Sequence, residues 1–190
     1  DFTKLEDMRI KEVKKKYDVC FMGRIEKSKG VVDFVTLVSK LKSKKGNISA
    51  VMIGDGSAMD EVTSLIKTLN LEREVQVLGF LGNERYQYLQ ESSVFVFPSI
   101  ANEGFGLSIL EALYFGVPVV MYEHPVLREV FSTISNTYFT DPYVDSLSDK
   151  IYSLLTSSIK VNSSDVMIYS MESCAFREKG ILLSVLEKQL

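Results

Sequence analysis

The chain has 190 residues, of which 46% are hydrophobic and 25% are charged, and its formal net charge is −3. This length and composition are typical of one folded domain and exclude a disordered chain, while the negative charge argues against general nucleic-acid binding. Apolar runs fall short of the roughly 20 residues that cross a bilayer, and the start has no signal-peptide pattern.

Two cysteines, Cys20 and Cys174, lie far apart in the sequence. A chain of this size needs no disulfide, so we expect a reducing, cytoplasmic location. Histidine and cysteine residues show no metal-ligand spacing, so we expect no metal site built from soft ligands.

Residues 1–17, DFTKLEDMRIKEVKKKY, are polar and charged. We interpret them as a linker or residual connecting segment of a longer chain, followed by one domain over residues 18–190. The lysine-rich part of this segment favours a solvated face over a membrane-binding or nucleic-acid-binding surface.

Short apolar runs alternate with longer amphipathic segments along the rest of the chain. The runs are continuous rather than alternating, which is typical of strands buried on both faces of a parallel sheet. Strands are predicted at 18–23, 48–54, 75–80, 93–99, 117–122 and 136–140. Helices are predicted at 30–44, 57–70, 83–91, 107–115, 125–131, 144–157 and roughly 164–188. The pattern predicts a doubly wound, Rossmann-like α/β fold: a parallel sheet of about six strands, helices on both faces and helices at the C-terminal end.

Glycine follows each of the first four predicted strands, at the edge where ligands of such folds bind. Arg24 and Lys29 lie between the first strand and its helix, where a guanidinium and an ammonium suit a diphosphate. The alternative is a solvated surface pair beside Glu26. Gly54, in the turn GDGS, offers backbone N–H groups, although many turns without ligands do so too.

The stretch PSIANEGFGLSILEAL places Glu103 in a loop and Glu111 one turn into a helix that begins near Leu107. Because the chain has fifteen glutamates, chance supplies about one pair at this spacing, so the context carries the argument. Gly104 and Gly106 let backbone N–H groups reach a ligand, and the positive end of the helix points to the same place. Glu111 could accept two vicinal hydroxyls, and Glu103 could reach a second sugar. The alternatives are an exposed loop carboxylate and a simple partner of the helix dipole.

Four segments then resemble a known family: GRIEKSKGVVDFVTLVSKL, AVMIGDG, VQVLGFLGNERYQYLQESSVFVFPSIANEGFGLSILEALYFGVPVV and VLREVF. They resemble the C-terminal, donor-binding lobe of retaining glycosyltransferases of the GT-B architecture, which carry an E-x(7)-E motif. The resemblance runs from about Val19 to Leu155, and the order of the segments makes it specific.

The resemblance implies a site for a nucleotide-diphosphate-sugar substrate, such as a UDP or GDP sugar, with no cofactor and no divalent metal. It implies that Arg24 and Lys29 hold the diphosphate and stabilise the charge that develops on it, that Glu111 binds the ribose and that Glu103 contacts the donor sugar. These assignments make Glu103, Arg24 and Lys29 the catalytic candidates. Backbone support for the sugar and phosphates is implied at Gly104, Phe105, Gly106 and Leu107. Residues near the base are implied to be Gly79, Phe80 and Leu81.

The resemblance also implies that the acceptor site and the usual catalytic histidine belong to an N-terminal lobe outside this chain. The chain by itself is therefore expected to bind a nucleotide but not to transfer sugar. Its single histidine, His124, lies in YEHPVLREV, where the family often has a glycine-rich turn. We expect it to be a surface or capping residue.

Two other functions remain open at this point: a sugar-nucleotide epimerase of the same architecture, and a non-catalytic nucleotide-binding module. The base, the sugar and the acceptor are not identified by the sequence. A peripheral membrane contact at the inner face of the membrane is left open for the full-length enzyme.

Overall fold

The computed structural model describes residues 2–157, 164–170, 173–175 and 178. Its strands are β1 Tyr17–Met22, β2 Ala50–Ile53, β3 Val75–Val77, β4 Ser92–Phe97, β5 Val119–Tyr122 and β6 Thr137–Thr140. Its helices are α1 Phe2–Glu6, α2 Val31–Lys45, α3 Met59–Thr68, α4 Arg85–Gln90, α5 Leu107–Tyr114, α6 Pro125–Phe131 and α7 Val144–Leu155. Two short 3-10 helices cover Lys27–Lys29 and Ser164–Tyr169.

All six strands are parallel and lie in the order β3-β2-β1-β4-β5-β6. This order confirms the predicted Rossmann-like doubly wound sheet. The chain winds from β1 outward to β3 and then returns to β4 on the other side of β1. The carboxyl ends of β1 and β4 therefore form the switch point, where the loops that follow them separate and leave a crevice.

Both faces of the sheet are covered, which explains the continuous apolar runs. In β1, Val19 and Phe21 pack into one cluster with α2, α3 and α7. Cys20 and Met22 pack into the other cluster with α4, α5 and α6. Burial also raises the pKa of the Cys20 thiol to about 12, so this cysteine is an inert core residue.

The predicted elements match the observed ones to within a few residues, with differences at β3 and at the C-terminal end. β3 ends at Val77 rather than at residue 80, because Gly79 takes a positive φ of 70° and turns the chain away from the sheet. The predicted helix at roughly 164–188 begins as the 3-10 helix Ser164–Tyr169, and residues 173–175 and 178 are helical. The remainder of that prediction lies outside the described residues.

The N-terminal segment packs against the end of α5. Phe2 stacks on Tyr114 with ring centroids 4.6 Å apart, and Arg9 donates to the Tyr114 carbonyl at 2.9 Å. Leu5 is buried in the same cluster. The boundary between this segment and the domain, placed at residue 18 from the sequence, stays a prediction.

The start of α2 is packed directly against the end of β4. Gly30, the residue before α2, has a φ of 71°, and a Cβ added there would lie 1.9 Å from the Pro98 carbonyl oxygen. The Ile100 N–H also donates to the Ser28 carbonyl at 3.0 Å. This close approach, which requires glycine, brings the helix N-terminus beside the loop that follows β4.

The first turn of α2 is also tied to β5. The hydroxyl of Tyr122, which is fully buried, donates to Asp33 Oδ2 at 2.7 Å. Burial and this hydrogen bond raise the pKa of Tyr122, so the hydroxyl stays a neutral donor at physiological pH. The contact holds the N-terminus of α2 in place relative to the sheet.

Tyr122→Phe should therefore lower the free energy of unfolding by about 1–2 kcal/mol, since the Asp33 carboxylate loses the hydroxyl that donates to it. Urea unfolding of the chain measures this. The matched control is Tyr143→Phe, at an exposed residue, which should stay within about 0.5 kcal/mol. Equal midpoints for the two variants would contradict the assigned role of the Asp33 contact.

Candidate functional site

A cleft lies at the carboxyl edge of the sheet, at the switch point between β1 and β4. It consists of two adjoining cavities of about 640 Å³ and about 430 Å³. The two cavities share five lining residues: Met22, Gly23, Arg24, Leu107 and Ser108. The end of β1 with the loop after it and the first turn of α5 thus line both cavities, and a single ligand could span them.

The larger cavity contains an ion pair between Lys29 and Glu103. Lys29 Nζ lies 2.7 Å from Glu103 Oε1, with the side chains 17% and 10% exposed. The hydroxyl of Ser99, which is itself buried, donates to the same carboxylate oxygen. The fold therefore brings together Lys29 and Glu103, which are 74 positions apart in the sequence. Both side chains are largely shielded from water, so their charges interact more strongly than they would at the surface.

Arg24 lies at the junction of the two cavities, with a side chain 68% exposed. Its Nη1 lies 2.7 Å from Glu26 Oε1. An exposed pair of this kind contributes little to stability. The guanidinium can therefore leave Glu26 for a ligand anion at small cost.

Glu111 lines the smaller cavity and is held by two residues of α4. The Tyr86 hydroxyl donates to Glu111 Oε1 at 2.7 Å, and Arg85 Nη2 lies 3.4 Å from the same oxygen. Burial, and then the hydrogen bond to Glu111, raise the pKa of Tyr86 to about 12. Tyr86 is thus a neutral donor to the carboxylate at physiological pH.

The loops after β2 and β3 form the outer wall of the smaller cavity through Gly54, Phe80 and Leu81. The Phe80 ring is largely exposed at the mouth of the cleft. Gly79, predicted to lie near the base, does not line either of the two cavities of the cleft. Its carbonyl instead accepts from the Gly54 N–H at 2.8 Å and joins the two loops.

The four residues predicted to support the sugar and phosphates through their backbone all line the larger cavity. They are Gly104, Phe105 and Gly106 of the loop after β4, and Leu107 at the start of α5. α5 begins at Leu107, and the N–H groups of Leu107 and Ser108, which precede the first N–H that donates within the helix, lie at the cleft. The Phe105 ring packs edge-on against Tyr169 at 5.4 Å, which connects this loop to the 3-10 helix at Ser164–Tyr169.

His124 occupies the position before α6 and does not line either cavity of the described chain. Its side chain makes no capping hydrogen bond, although its backbone carbonyl accepts from the backbone N–H of Arg128 at 2.8 Å. Among the described residues, no three His, Cys, Asp or Glu side chains are placed to hold a metal ion. None of the helices in this part of the chain is both long and apolar enough to span a bilayer.

Three residues that contact Glu103 or Glu111 were not predicted from the sequence: Ser99, Arg85 and Tyr86. Ser99 could have been identified from the sequence, because it comes soon after β4, at the edge of the sheet where ligands of such folds bind. Nothing in the sequence pattern indicates Arg85 and Tyr86, which lie at the start of α4. They reach Glu111 only because α4 packs beside α5.

The arrangement suits a ligand that is anionic at one part and rich in hydroxyls at others. Arg24, Lys29 and the N-termini of α2 and α5 supply positive potential around the shared part of the cleft. Glu103 and Glu111 supply carboxylate acceptors, one in each cavity. Carboxylates accept hydrogen bonds from hydroxyl groups, so these two are suited to two polyhydroxylated parts of one ligand.

Comparison with known proteins gives a consistent result. A family model described as Glycosyl transferases group 1 matches residues 3–171. The chain is 31% identical over 144 residues to a 2-deoxystreptamine N-acetyl-D-glucosaminyltransferase of Niallia circulans, covering 75% of this chain and 37% of that protein. The chain spans about a third of the length of the curated relatives it matches.

Solved structures share the fold. One is a S. aureus TarM mutant in complex with Fondaparinux, alpha-GlcNAc-glycerol and UDP, with a TM-score of 0.77 and 22% identity, covering 92% of this chain and 36% of that one. Another is Anabaena Alr3699/HepE in complex with UDP and glucose, with a TM-score of 0.72 and 21% identity, covering 92% of this chain and 49% of that one. At these identities the likeness establishes the fold alone.

Proposed function

Because this chain belongs to the group 1 glycosyl transferases, we propose that it is the donor-binding lobe of a retaining glycosyltransferase. The whole enzyme moves a sugar from a nucleotide-diphosphate-sugar to an acceptor, and a second lobe supplies the acceptor site. The observation that carries the proposal is the cleft, in which two cations and two carboxylates from distant parts of the sequence line adjoining cavities. UDP bound to proteins of the same fold supports a nucleotide donor.

In this proposal the diphosphate occupies the part of the cleft shared by the two cavities, beside Arg24 and near Lys29. The ribose lies against Glu111, and the transferred sugar lies against Glu103 in the larger cavity. Phe80 and Leu81 flank the base. This order along the cleft places each ligand part beside the side chain whose chemistry fits it.

Arg24, Lys29 and the N-terminus of α2 stabilise the charge that develops on the departing nucleoside diphosphate as its bond to the sugar breaks. This electrostatic contribution replaces the one that a divalent cation makes in other transferases, so the proposed reaction is metal-independent. Retention of the anomeric configuration is part of the proposal, and proton NMR of the product from the whole enzyme tests it.

The first experiment is thermal shift and titration calorimetry on the chain, with UDP, GDP, ADP and their common sugar derivatives, in EDTA. We expect one base to be preferred, and a ligand at 100 times its dissociation constant should stabilise the fold by about 2.7 kcal/mol. If no nucleotide binds the folded chain at millimolar concentration, the donor-lobe proposal fails.

Arg24→Ala should weaken the preferred nucleoside diphosphate by about 10-fold, because one charge-assisted phosphate contact is lost. Its free energy of unfolding should stay within about 0.5 kcal/mol, since the Glu26 pair is exposed. Arg73→Ala, at an exposed residue before β3, is the matched control and should change neither quantity. Unchanged affinity in Arg24→Ala would remove Arg24 from the phosphate site.

A further inference from the structure

The carboxylate of Glu111 is held on one side by two residues of α4, Tyr86 and Arg85. Both contacts fall on the same oxygen: the Tyr86 hydroxyl donates to Oε1 at 2.7 Å, and Arg85 Nη2 lies 3.4 Å from it. A carboxylate offers acceptor sites on both oxygens. Oε2 is therefore left as the acceptor for a ligand.

Arg85 connects this carboxylate to the loop after β3. Its Nη1 donates to the Gly82 carbonyl at 2.9 Å, and its Nη2 donates to the Tyr86 hydroxyl oxygen. Its guanidinium carbon also lies 4.2 Å from the centroid of the Tyr86 ring. Arg85 thus ties together the loop, the ring and Glu111, and it lines the same cavity as Phe80 and Leu81.

The surroundings make these contacts rigid. Tyr86 is 5% exposed, and its ring packs against Phe115 with centroids 5.3 Å apart. A donor on a buried ring has few alternative positions, so it restricts the rotamers of the carboxylate that it binds. Restricting that carboxylate before the ligand arrives reduces the entropy lost on binding.

Resting on the proposed function, we propose that Tyr86 and Arg85 are positioning residues for nucleotide recognition. They hold Oε1 of Glu111 so that Oε2 accepts from the vicinal hydroxyls of the ribose, and Arg85 makes this orientation depend on the loop that flanks the base. The specificity for ribose over deoxyribose is then set partly by α4, in addition to Glu111 itself. The neutral state of the Tyr86 hydroxyl, noted above, means that it orients the carboxylate without neutralising its charge.

The test compares a nucleoside diphosphate with its 2′,3′-dideoxy counterpart by calorimetry, using the base that the wild-type chain prefers. Tyr86→Phe keeps the buried ring and removes the hydroxyl. Tyr86→Phe should lower the affinity for the ribonucleotide about five- to tenfold and leave the affinity for the dideoxynucleotide within about twofold of the wild-type value. Arg85→Met keeps an apolar stem over the ring, removes the guanidinium and should give the same pattern even if Tyr86→Phe does not fold.

The control is Tyr17→Phe, in which a hydroxyl that donates to Gln76 at 2.8 Å is lost at the opposite edge of the sheet. It should leave both affinities unchanged. Equal losses for the two nucleotides in both cleft variants, or no loss in either variant, overturn the positioning role. If the wild-type chain binds no ribonucleotide, the proposed function fails as well, which distinguishes the two failures.

Discussion

Glu111→Ala should weaken binding of the preferred nucleoside diphosphate by about 100-fold or more. Glu111 is proposed to accept both ribose hydroxyls, and each hydrogen bond to a charged group contributes about 1.5–3 kcal/mol. Loss of two such bonds corresponds to at least two factors of ten in the dissociation constant. The substitution also leaves the hydroxyl of Tyr86, a buried residue, without its acceptor, which adds a local cost.

Calorimetry on the folded variant measures the effect, with two controls. Glu72→Ala removes an exposed carboxylate at the other edge of the sheet and should bind like wild type. The 2′,3′-dideoxynucleotide should bind wild type and Glu111→Ala with similar affinities. It lacks the ribose hydroxyls, which are the groups that the Glu111 carboxylate is proposed to bind. Ribonucleotide affinity within about threefold of wild type in Glu111→Ala would show that Glu111 does not bind the ribose.

Lys29→Met should affect both stability and binding. The pair with Glu103 is short and largely shielded from water, so removal of the lysine leaves a carboxylate that is held only by Ser99 among the contacts described above. Breaking a fully buried pair costs about 3–5 kcal/mol. This pair is partly exposed, and we expect the free energy of unfolding to fall by about 2 kcal/mol, which lowers Tm by about 4–8 °C.

The same variant should weaken the nucleoside diphosphate by about 10- to 100-fold, because a phosphate contact in a low-dielectric place is lost. The corresponding nucleoside, which has no phosphate, should bind as it does to wild type. Lys27→Met is the matched control: Lys27 lies in the same loop as Lys29, its pair with Glu61 of α3 is exposed, and both quantities should stay near wild type.

A double variant separates the two effects of Lys29. Lys29→Met combined with Glu103→Gln should recover part of the lost stability, since no carboxylate is then left without its cation. It should not recover diphosphate affinity. If Lys29→Met unfolds at the wild-type temperature and binds the diphosphate normally, the ion pair has neither of the roles assigned to it.

The two alternative functions, a sugar-nucleotide epimerase and a non-catalytic nucleotide-binding module, would show the same binding losses in the Lys29 and Glu111 variants. A transfer assay on the whole enzyme is therefore the measurement that distinguishes either of them from a transferase.

The architecture and the location of the candidate cleft could be predicted from the sequence. Strands buried on both faces must be apolar at successive positions, and the helices that cover them must be apolar at a period near 3.6. The spacing of apolar residues therefore indicates the alternation of strands and helices. Parallel strands place their following loops at one edge, and so Arg24, Lys29, Glu103 and Glu111 could be assigned to one region without coordinates.

What only the tertiary structure decided is which side chain pairs with which. Lys29 meets Glu103, and Tyr86 and Arg85 meet Glu111, through contacts that depend on how α2 approaches β4 and how α4 packs beside α5. The turn at Gly79, which ends β3 early and keeps that residue out of the cavity, likewise depends on local backbone geometry. Periodicity reports which face of an element is buried, and it carries no information about the distance between two polar groups on different elements. Those distances are set by the packing of the whole core.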